Sequence, residues 1–148
     1  MTTVTNSIFT PKIDKELSKV PPEIATEIKE SVTGMHCYIN AAWALRLNHF
    51  QKMTMIYLGG KISKAEGSLD STKEFVSIAE LVFYTGIAKP NALKALKKLI
   101  QNGYLKSSEF YADLNEEVLF SYSVTPKIIH EYLAKLIRDS RVLKGRAA

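Results

Sequence analysis

The sequence predicts a mainly α-helical fold with a small β-hairpin, and three observations lead to this fold class. Residues 77–105 have the pattern of a helix, a tight turn and a second helix. After position 117 the apolar residues change from helical spacing to the alternation of a half-buried strand, and the end of the chain returns to helical spacing. With 148 residues, of which 46% are hydrophobic, and with no internal repeat or linker, the chain is expected to form one domain.

The N-terminal part contains little periodic sequence. Residues 1–20 are polar without a sustained period, so we expect a flexible N-terminal arm in front of a single domain over residues 21–148. Two prolines then precede a short amphipathic helix that ends at Gly34. Its apolar face consists of Ile24, Ile28 and Val32.

The next segment is predicted to contain a second helix. Residues 37–39 fit either a brief strand or the approach to a helix. Asn48 is a typical helix start because Gln51 lies three residues later, in capping-box position. Gly59 and Gly60 are predicted to end this helix, whose apolar face is Phe50, Met53, Ile56 and Tyr57. The polar residues that follow, 61–74, indicate an exposed loop.

The helix pair carries the strongest local signals in the chain. A short strand at Phe75–Val76 precedes it, and Ser77 with Glu80 forms the S-x-x-E capping box of its first helix. Gly86 permits the left-handed backbone of the turn, and Gly103 is predicted to cap the second helix in the same conformation. The buried face of the second helix is predicted to be Ala92, Leu93, Ala95, Leu96, Leu99 and Ile100.

The C-terminal third is predicted to contain the hairpin and a long helix. A strand is predicted to pair with Tyr104–Leu105 and Phe110–Tyr111 around a tip at 113–117. Its two alternating faces are Val118, Phe120, Tyr122 and Val124 on one side and Leu119, Ser121, Ser123 and Thr125 on the other. A helix over about 126–143 follows. Its apolar stripe fits a core helix and a homodimer seam about equally well, and consists of Ile128, Ile129, Tyr132, Leu133, Leu136 and Ile137.

The order of these elements and the segment TGIAKPNALKALKKLIQNGYL resemble the winged helix-turn-helix superfamily. The segment is similar to the turn and recognition helix of MarR- and GntR-like regulators and of the N-terminal domains of phage and plasmid replication initiators. The order of elements matches over residues 36–125. The resemblance implies a winged helix-turn-helix with extra N- and C-terminal helices, in which a recognition helix at about 89–102 enters the major groove of DNA.

The resemblance also implies a division of roles among side chains. The residues assigned to base contacts are Lys89, Pro90, Asn91 and Lys94. The residues assigned to the DNA backbone are Ser77, Thr85, Lys97 and Lys98. Two features depart from the family: Ala88 replaces the usual capping Ser or Thr, and the hairpin is acidic. The negative charge indicates that the hairpin avoids phosphates and either stands clear of DNA or faces a protein partner. The acidic residues are Glu109, Asp113, Glu116 and Glu117.

Composition limits the classes of function. Twenty basic and 15 acidic residues give a net charge of +5 and a pI near 9.2, which favours a polyanionic partner. The single cysteine, Cys37, and three scattered histidines give no ligand spacing for a metal, and we find no nucleophile, carboxylate pair or phosphate loop that would indicate an enzyme or a cofactor. With no membrane span or signal peptide in the sequence, a cytoplasmic, nucleoid-associated protein is expected.

Three functions are therefore consistent with the sequence. The leading hypothesis is a sequence-specific double-stranded DNA-binding protein, a small transcriptional regulator that acts as a homodimer. A phage or plasmid replication initiator or organiser is the second, suggested by residues 38–45 and by the long loop at 61–74. The third is a winged-helix adaptor that binds proteins and not DNA.

Overall fold

Helices form most of the structure and surround a small antiparallel sheet. The computed structural model describes residues 9–34, 36–62, 71, 73–107 and 119–147, with residues 141–147 described by their backbone alone. The helices are α1 (Pro11–Leu17), α2 (Pro22–Thr33), α3 (Cys37–Ala44), α4 (His49–Lys61), α5 (Ile78–Thr85), α6 (Lys89–Gln101) and α7 (Pro126–Ala147), and the strands are β1 (Glu74–Val76), β2 (Leu105–Lys106) and β3 (Phe120–Val124). The predicted mainly helical fold class is confirmed.

The sheet has three strands in the order β1-β3-β2, with β3 in the centre and both pairings antiparallel. Val76 lies opposite Phe120, and Leu105 lies opposite Val124. The short strand predicted before the helix pair is confirmed, and Phe120, Tyr122 and Val124 are buried as their alternation indicated. The predicted hairpin tip and its strand at Phe110–Tyr111 lie outside the described residues.

The expectation of a flexible arm over residues 1–20 is wrong for residues 11–17, because these residues form α1. Thr10 caps this helix, because its Oγ1 accepts a hydrogen bond from the backbone N–H of Ile13 over 3.3 Å. Leu17 and Val20 are buried in the core. A seven-residue helix shows too few turns for a hydrophobic period to be recognised, so only its tertiary contacts reveal it.

Helix α4 continues through Gly59 and Gly60, so the predicted stop there is wrong. A Cβ atom on Gly59 would lie 2.9 Å from the Cβ of Tyr38 in α3. The absence of a side chain therefore lets the two helices approach closely, and this packing compensates for the low helix propensity of glycine. Residues 37–39, which fit either a strand or a helix, belong to α3.

The apolar stripe of α7 is part of the core of this chain. Ile128, Ile129, Leu133 and Ile137 are each at most 3% exposed, Tyr132 is also buried, and α7 packs against α2 and α3. Leu136 is half-buried against the same core. Since side chains already covered within one chain cannot contact a second copy, the assignment of this stripe as a dimer seam is corrected.

Candidate nucleic-acid interface

Helix α5 begins with the capping box that the sequence predicts. The Oγ of Ser77 accepts a hydrogen bond from the backbone N–H of Glu80 over 3.0 Å, and the Glu80 carboxylate accepts one from the backbone of Ser77. Gly86 then ends the helix with φ = 71°, in the left-handed region. These local contacts fix the turn between α5 and α6.

Charged side chains of α4 hold α5 in place. Glu80 accepts hydrogen bonds from Tyr57 and Lys61 of α4, and Lys61 also donates to the carbonyl oxygen of Phe75 in β1 over 2.8 Å. Burial alone would raise the pKa of Glu80, but the hydrogen bonds from Lys61 and Tyr57 together lower it below its usual value. The first helix of the pair is therefore fixed to α4 and to the sheet at its N-terminal end.

Helix α6 starts without a side-chain cap and ends in a glycine cap. Ala88 makes no capping hydrogen bond, as expected, and Pro90 occupies the first turn, where a missing N–H is tolerated. Gly103 has φ = 82°, and the N–H of Tyr104 donates to the carbonyl oxygen of Leu99 over 3.0 Å. The buried face is Ala92, Ala95, Leu96 and Leu99.

The opposite face of α6 presents a polar stripe. Asn91, Lys94, Lys98 and Gln101 follow one another at intervals of three, four and three residues, which places them along one side of the helix. Lys94, Lys97 and Lys98 are exposed, and within the described part of the chain none of the three forms an ion pair. No carboxylate in the described ranges therefore neutralises the ammonium groups of these lysines.

The stripe forms one wall of a groove of about 260 Å³ between α6 and the first turn of α4. From α6 the groove is lined by Asn91, Lys94, Ala95, Lys97, Lys98 and Gln101. From the start of α4 it is lined by Asn48, Phe50 and Gln51. No acidic residue is among the described residues that line this α4–α6 groove.

Both walls come from stretches of sequence without carboxylates. Residues 81–108 contain no Asp or Glu and five lysines, which are Lys89, Lys94, Lys97, Lys98 and Lys106. Residues 31–65 also contain no Asp or Glu. Among the described residues that line the groove, the basic ones are Lys94, Lys97 and Lys98, so this positive charge comes from α6.

The structure brings together four of the eight residues that the sequence assigns to DNA. Asn91, Lys94, Lys97 and Lys98 all line the α4–α6 groove. Lys89 is half-buried at the start of α6 and Pro90 is exposed beside it, and neither lines the groove.

Two of the assigned residues, Ser77 and Thr85, use their hydroxyl groups in hydrogen bonds within the chain. Ser77 is 9% exposed and its Oγ already caps α5. The hydroxyl of Thr85 donates its only proton to the carbonyl oxygen of Leu81 over 2.6 Å, so it has no donor left for a phosphate. The acidic hairpin residues Glu109, Asp113, Glu116 and Glu117 lie outside the described residues.

The sequence pattern missed the contribution of α4 to this surface. The sequence predicts only a helix start at Asn48 and Gln51, and the Oδ1 of Asn48 does accept a hydrogen bond from the backbone N–H of Gln51 over 2.8 Å. Phe50, which belongs to the predicted apolar face of this helix, is 39% exposed. The buried positions are instead Thr54, Met55, Leu58 and Gly59. The lack of carboxylates around α4 is the one sequence signal that would have indicated its place in a basic surface.

The described residues were also compared with the requirements of a thiol site, a metal site and a membrane span. The thiol of Cys37 is buried in the core at 1% exposure. Among the described residues there is no group of three or more histidine, cysteine or acidic side chains placed to hold a metal ion. Nor does any helix in this part of the chain have both the length and the apolar character needed to cross a membrane.

No protein-family model, no curated protein and no solved structure matches this chain.

Proposed function

We propose that this chain is a sequence-specific double-stranded DNA-binding protein, a winged helix-turn-helix in which α6 is the recognition helix. The observation that carries the proposal is the polar stripe of α6 with Lys97 beside it, since Asn91 and three exposed lysines line one groove without a carboxylate among the described residues that line it. Such a stripe suits a polyanion whose base edges offer hydrogen-bonding groups.

The arrangement of elements supports this assignment. Strands β1 and β2 flank the α5–α6 pair in the sequence and both pair with β3, so the sheet fixes the two ends of the helix pair. A helix that enters the major groove must be held rigidly while its outer face stays open. The buried face of α6 and the capped turn at Gly86 meet the first requirement, and the exposed stripe meets the second.

Side chains are proposed to act in two ways. Asn91 suits adenine, because its amide both donates and accepts, and Lys94 suits guanine or a phosphate oxygen. Lys97 and Lys98, further along the helix, suit phosphates, which carry affinity without sequence preference. A transcriptional regulator that works as a dimer would need a seam other than the buried stripe of α7.

The test is selection of bound sequences from a random duplex pool, followed by fluorescence anisotropy with the selected duplex. We expect the affinity to fall steeply between about 50 and 200 mM salt, since counterions released from phosphates drive binding. Asn91→Ala is expected to relax sequence preference at a cost of about 1–3 kcal/mol, whereas Lys98→Ala should weaken all sequences alike. Asn40→Ala, a half-buried asparagine on α3, is the matched control.

The results also separate the alternatives. Duplex binding without salt dependence, or no binding, would contradict the proposal and favour an adaptor that contacts proteins. A selected motif that consists of direct repeats would favour a replication initiator, while a palindrome would favour a dimeric regulator. An unchanged sequence preference in Asn91→Ala would remove Asn91 from the base contacts.

A further inference from the structure

The α4–α6 groove is built from two helices, and the polar stripe of α6 is only one of its walls. One wall belongs to the helix proposed to contact bases, and the other to the start of a helix that lies about forty residues earlier in the chain. Asn91 and Lys94 belong both to the groove and to the proposed base-contacting end of α6. The groove therefore extends the proposed DNA-binding surface sideways, from α6 onto α4.

The charge of the groove favours an anionic occupant. Lys94, Lys97 and Lys98 reach it without an ion pair to any described side chain, and no described carboxylate lines it. The start of α4 adds the partial positive charge of a 13-residue helix. The amide of Gln51 and the apolar side chains of Phe50 and Ala95 complete the walls. Cationic, amide and apolar groups together match a chain of phosphates and sugars better than a small inorganic anion.

The length of the groove fits a nucleic-acid strand. Asn91 and Gln101 are ten residues apart on α6, which corresponds to about 15 Å along the helix axis. Successive phosphates of one strand follow at about 3.4 Å along the axis of a duplex. A helix lying in the major groove has one strand on each side of it, and the strand on the α4 side would pass the first turn of α4.

We propose that the α4–α6 groove holds the phosphate backbone of the DNA strand next to the recognition helix, so that α4 is part of the nucleic-acid interface. This inference rests on the proposed function, because it requires α6 to bind a duplex. It adds Gln51 and Phe50 of α4 to the contact surface and assigns Lys97 and Lys98 to the same strand.

The first test places a negative charge in the groove without changing α6. Gln51→Glu suits the fold, since glutamate at the third position of a helix supports the cap and interacts favourably with the helix dipole. We expect the variant to fold normally by circular dichroism and to bind the duplex about fivefold more weakly, the repulsion of two charges about 4 Å apart in water. The matched control is Ala134→Glu, which adds the same charge at an exposed position of α7.

The second test counts phosphate contacts. Lys98→Gln is expected to reduce the slope of log affinity against log salt concentration by about one contact, whereas Lys12→Gln, at an exposed position of α1, should leave the slope unchanged. In the double variant Gln51→Glu, Lys98→Gln, the two losses should not simply add, because both changes act on the same strand.

Each outcome decides between distinct conclusions. If the wild-type chain does not bind duplex DNA, the proposed function fails and the inference fails with it. If the wild-type chain binds with salt dependence but Gln51→Glu binds as tightly as Ala134→Glu, the proposed function stands and the role of α4 is overturned. A weakened Gln51→Glu variant with wild-type folding and an unchanged Ala134→Glu control supports the inference.

Discussion

The hydroxyl of Tyr57 donates a hydrogen bond to the carboxylate of Glu80 over 2.5 Å, linking α4 to α5 across 23 residues of sequence. Burial first, and then the neighbouring carboxylate, raises the pKa of Tyr57 well above its usual range. The ring of Tyr57 also stacks on Tyr84, with ring centroids 5.4 Å apart. This contact and the Lys61–Glu80 ion pair position the helix that precedes α6.

The charge of Glu80 is predicted to make the free energy of unfolding depend on pH. Its pKa in the folded state lies below its usual 4.5, so the unfolded chain takes up the proton at higher pH. The stabilisation from this carboxylate is therefore complete above about pH 4.5 and is lost as the pH falls through the folded-state pKa.

We expect Glu80→Gln to lower the free energy of unfolding by about 1.5–3 kcal/mol at neutral pH, since it removes hydrogen bonds to a charged group. Urea unfolding at neutral pH and near pH 3 measures the change, and the difference from the wild type should shrink in acid. Glu23→Gln, at an exposed position in the first turn of α2, is the control. A difference that stays constant with pH would contradict the role of the charge.

The two adjacent glycines of α4 should respond in opposite ways to alanine. Gly60→Ala is expected to stabilise the protein by up to about 1 kcal/mol, because alanine favours the helix and the new Cβ would lie 3.4 Å from the flexible end of Ile39. Gly59→Ala is expected to destabilise it, because the new Cβ would lie 2.9 Å from the Cβ of Tyr38. Thermal unfolding of both variants provides the comparison, and equal shifts would mean that α3 and α4 do not pack this closely.

The hydroxyl of Thr54 is fully buried and has no hydrogen-bond partner among the described residues. Thr54→Val removes this group while keeping a branched side chain of similar size, so we expect the free energy of unfolding to rise by about 1 kcal/mol. The urea midpoint should increase without a change in the slope of the transition. Thr26→Val, where the exposed hydroxyl donates to the carbonyl oxygen of Pro22, serves as the control. A destabilised Thr54→Val variant would reveal a partner for the hydroxyl.

Leu133 is predicted to serve the core of one chain and not an interface between chains. At 1% exposure, its replacement in Leu133→Ala should cost about 2–5 kcal/mol of stability through the cavity that remains. Sedimentation of the folded variant should give the same oligomeric state as the wild type. Ala134→Gly, a change at the neighbouring exposed position, controls for the effect on helix propensity. A change of oligomeric state in Leu133→Ala with little loss of stability would instead support the assignment of this stripe as a dimer interface.

Local contacts explain why much of the fold was predictable. The caps at Asn48 and Ser77 are formed with residues three positions away. Gly86 and Gly103 have the left-handed backbone conformation that a single turn requires. The partners in each of these interactions lie within a few residues of one another, so a short stretch of sequence is enough to predict them. The same holds for the buried apolar residues of β3 and for the buried face of α6, although Ser121 of β3 is buried as well.

The sequence by itself therefore determined the helix pair, its turn and the basic face of α6. Only the tertiary structure decided that α4 continues through two glycines, that the stripe of α7 is core, and that Gln51 lies across a groove from Lys98. Each of these depends on contacts between residues far apart in the chain, and a hydrophobic period shows that a face is covered without showing what covers it. The lysines of α6 in the candidate interface can therefore be predicted from the sequence. The contribution of α4 depends on how this helix packs beside α6.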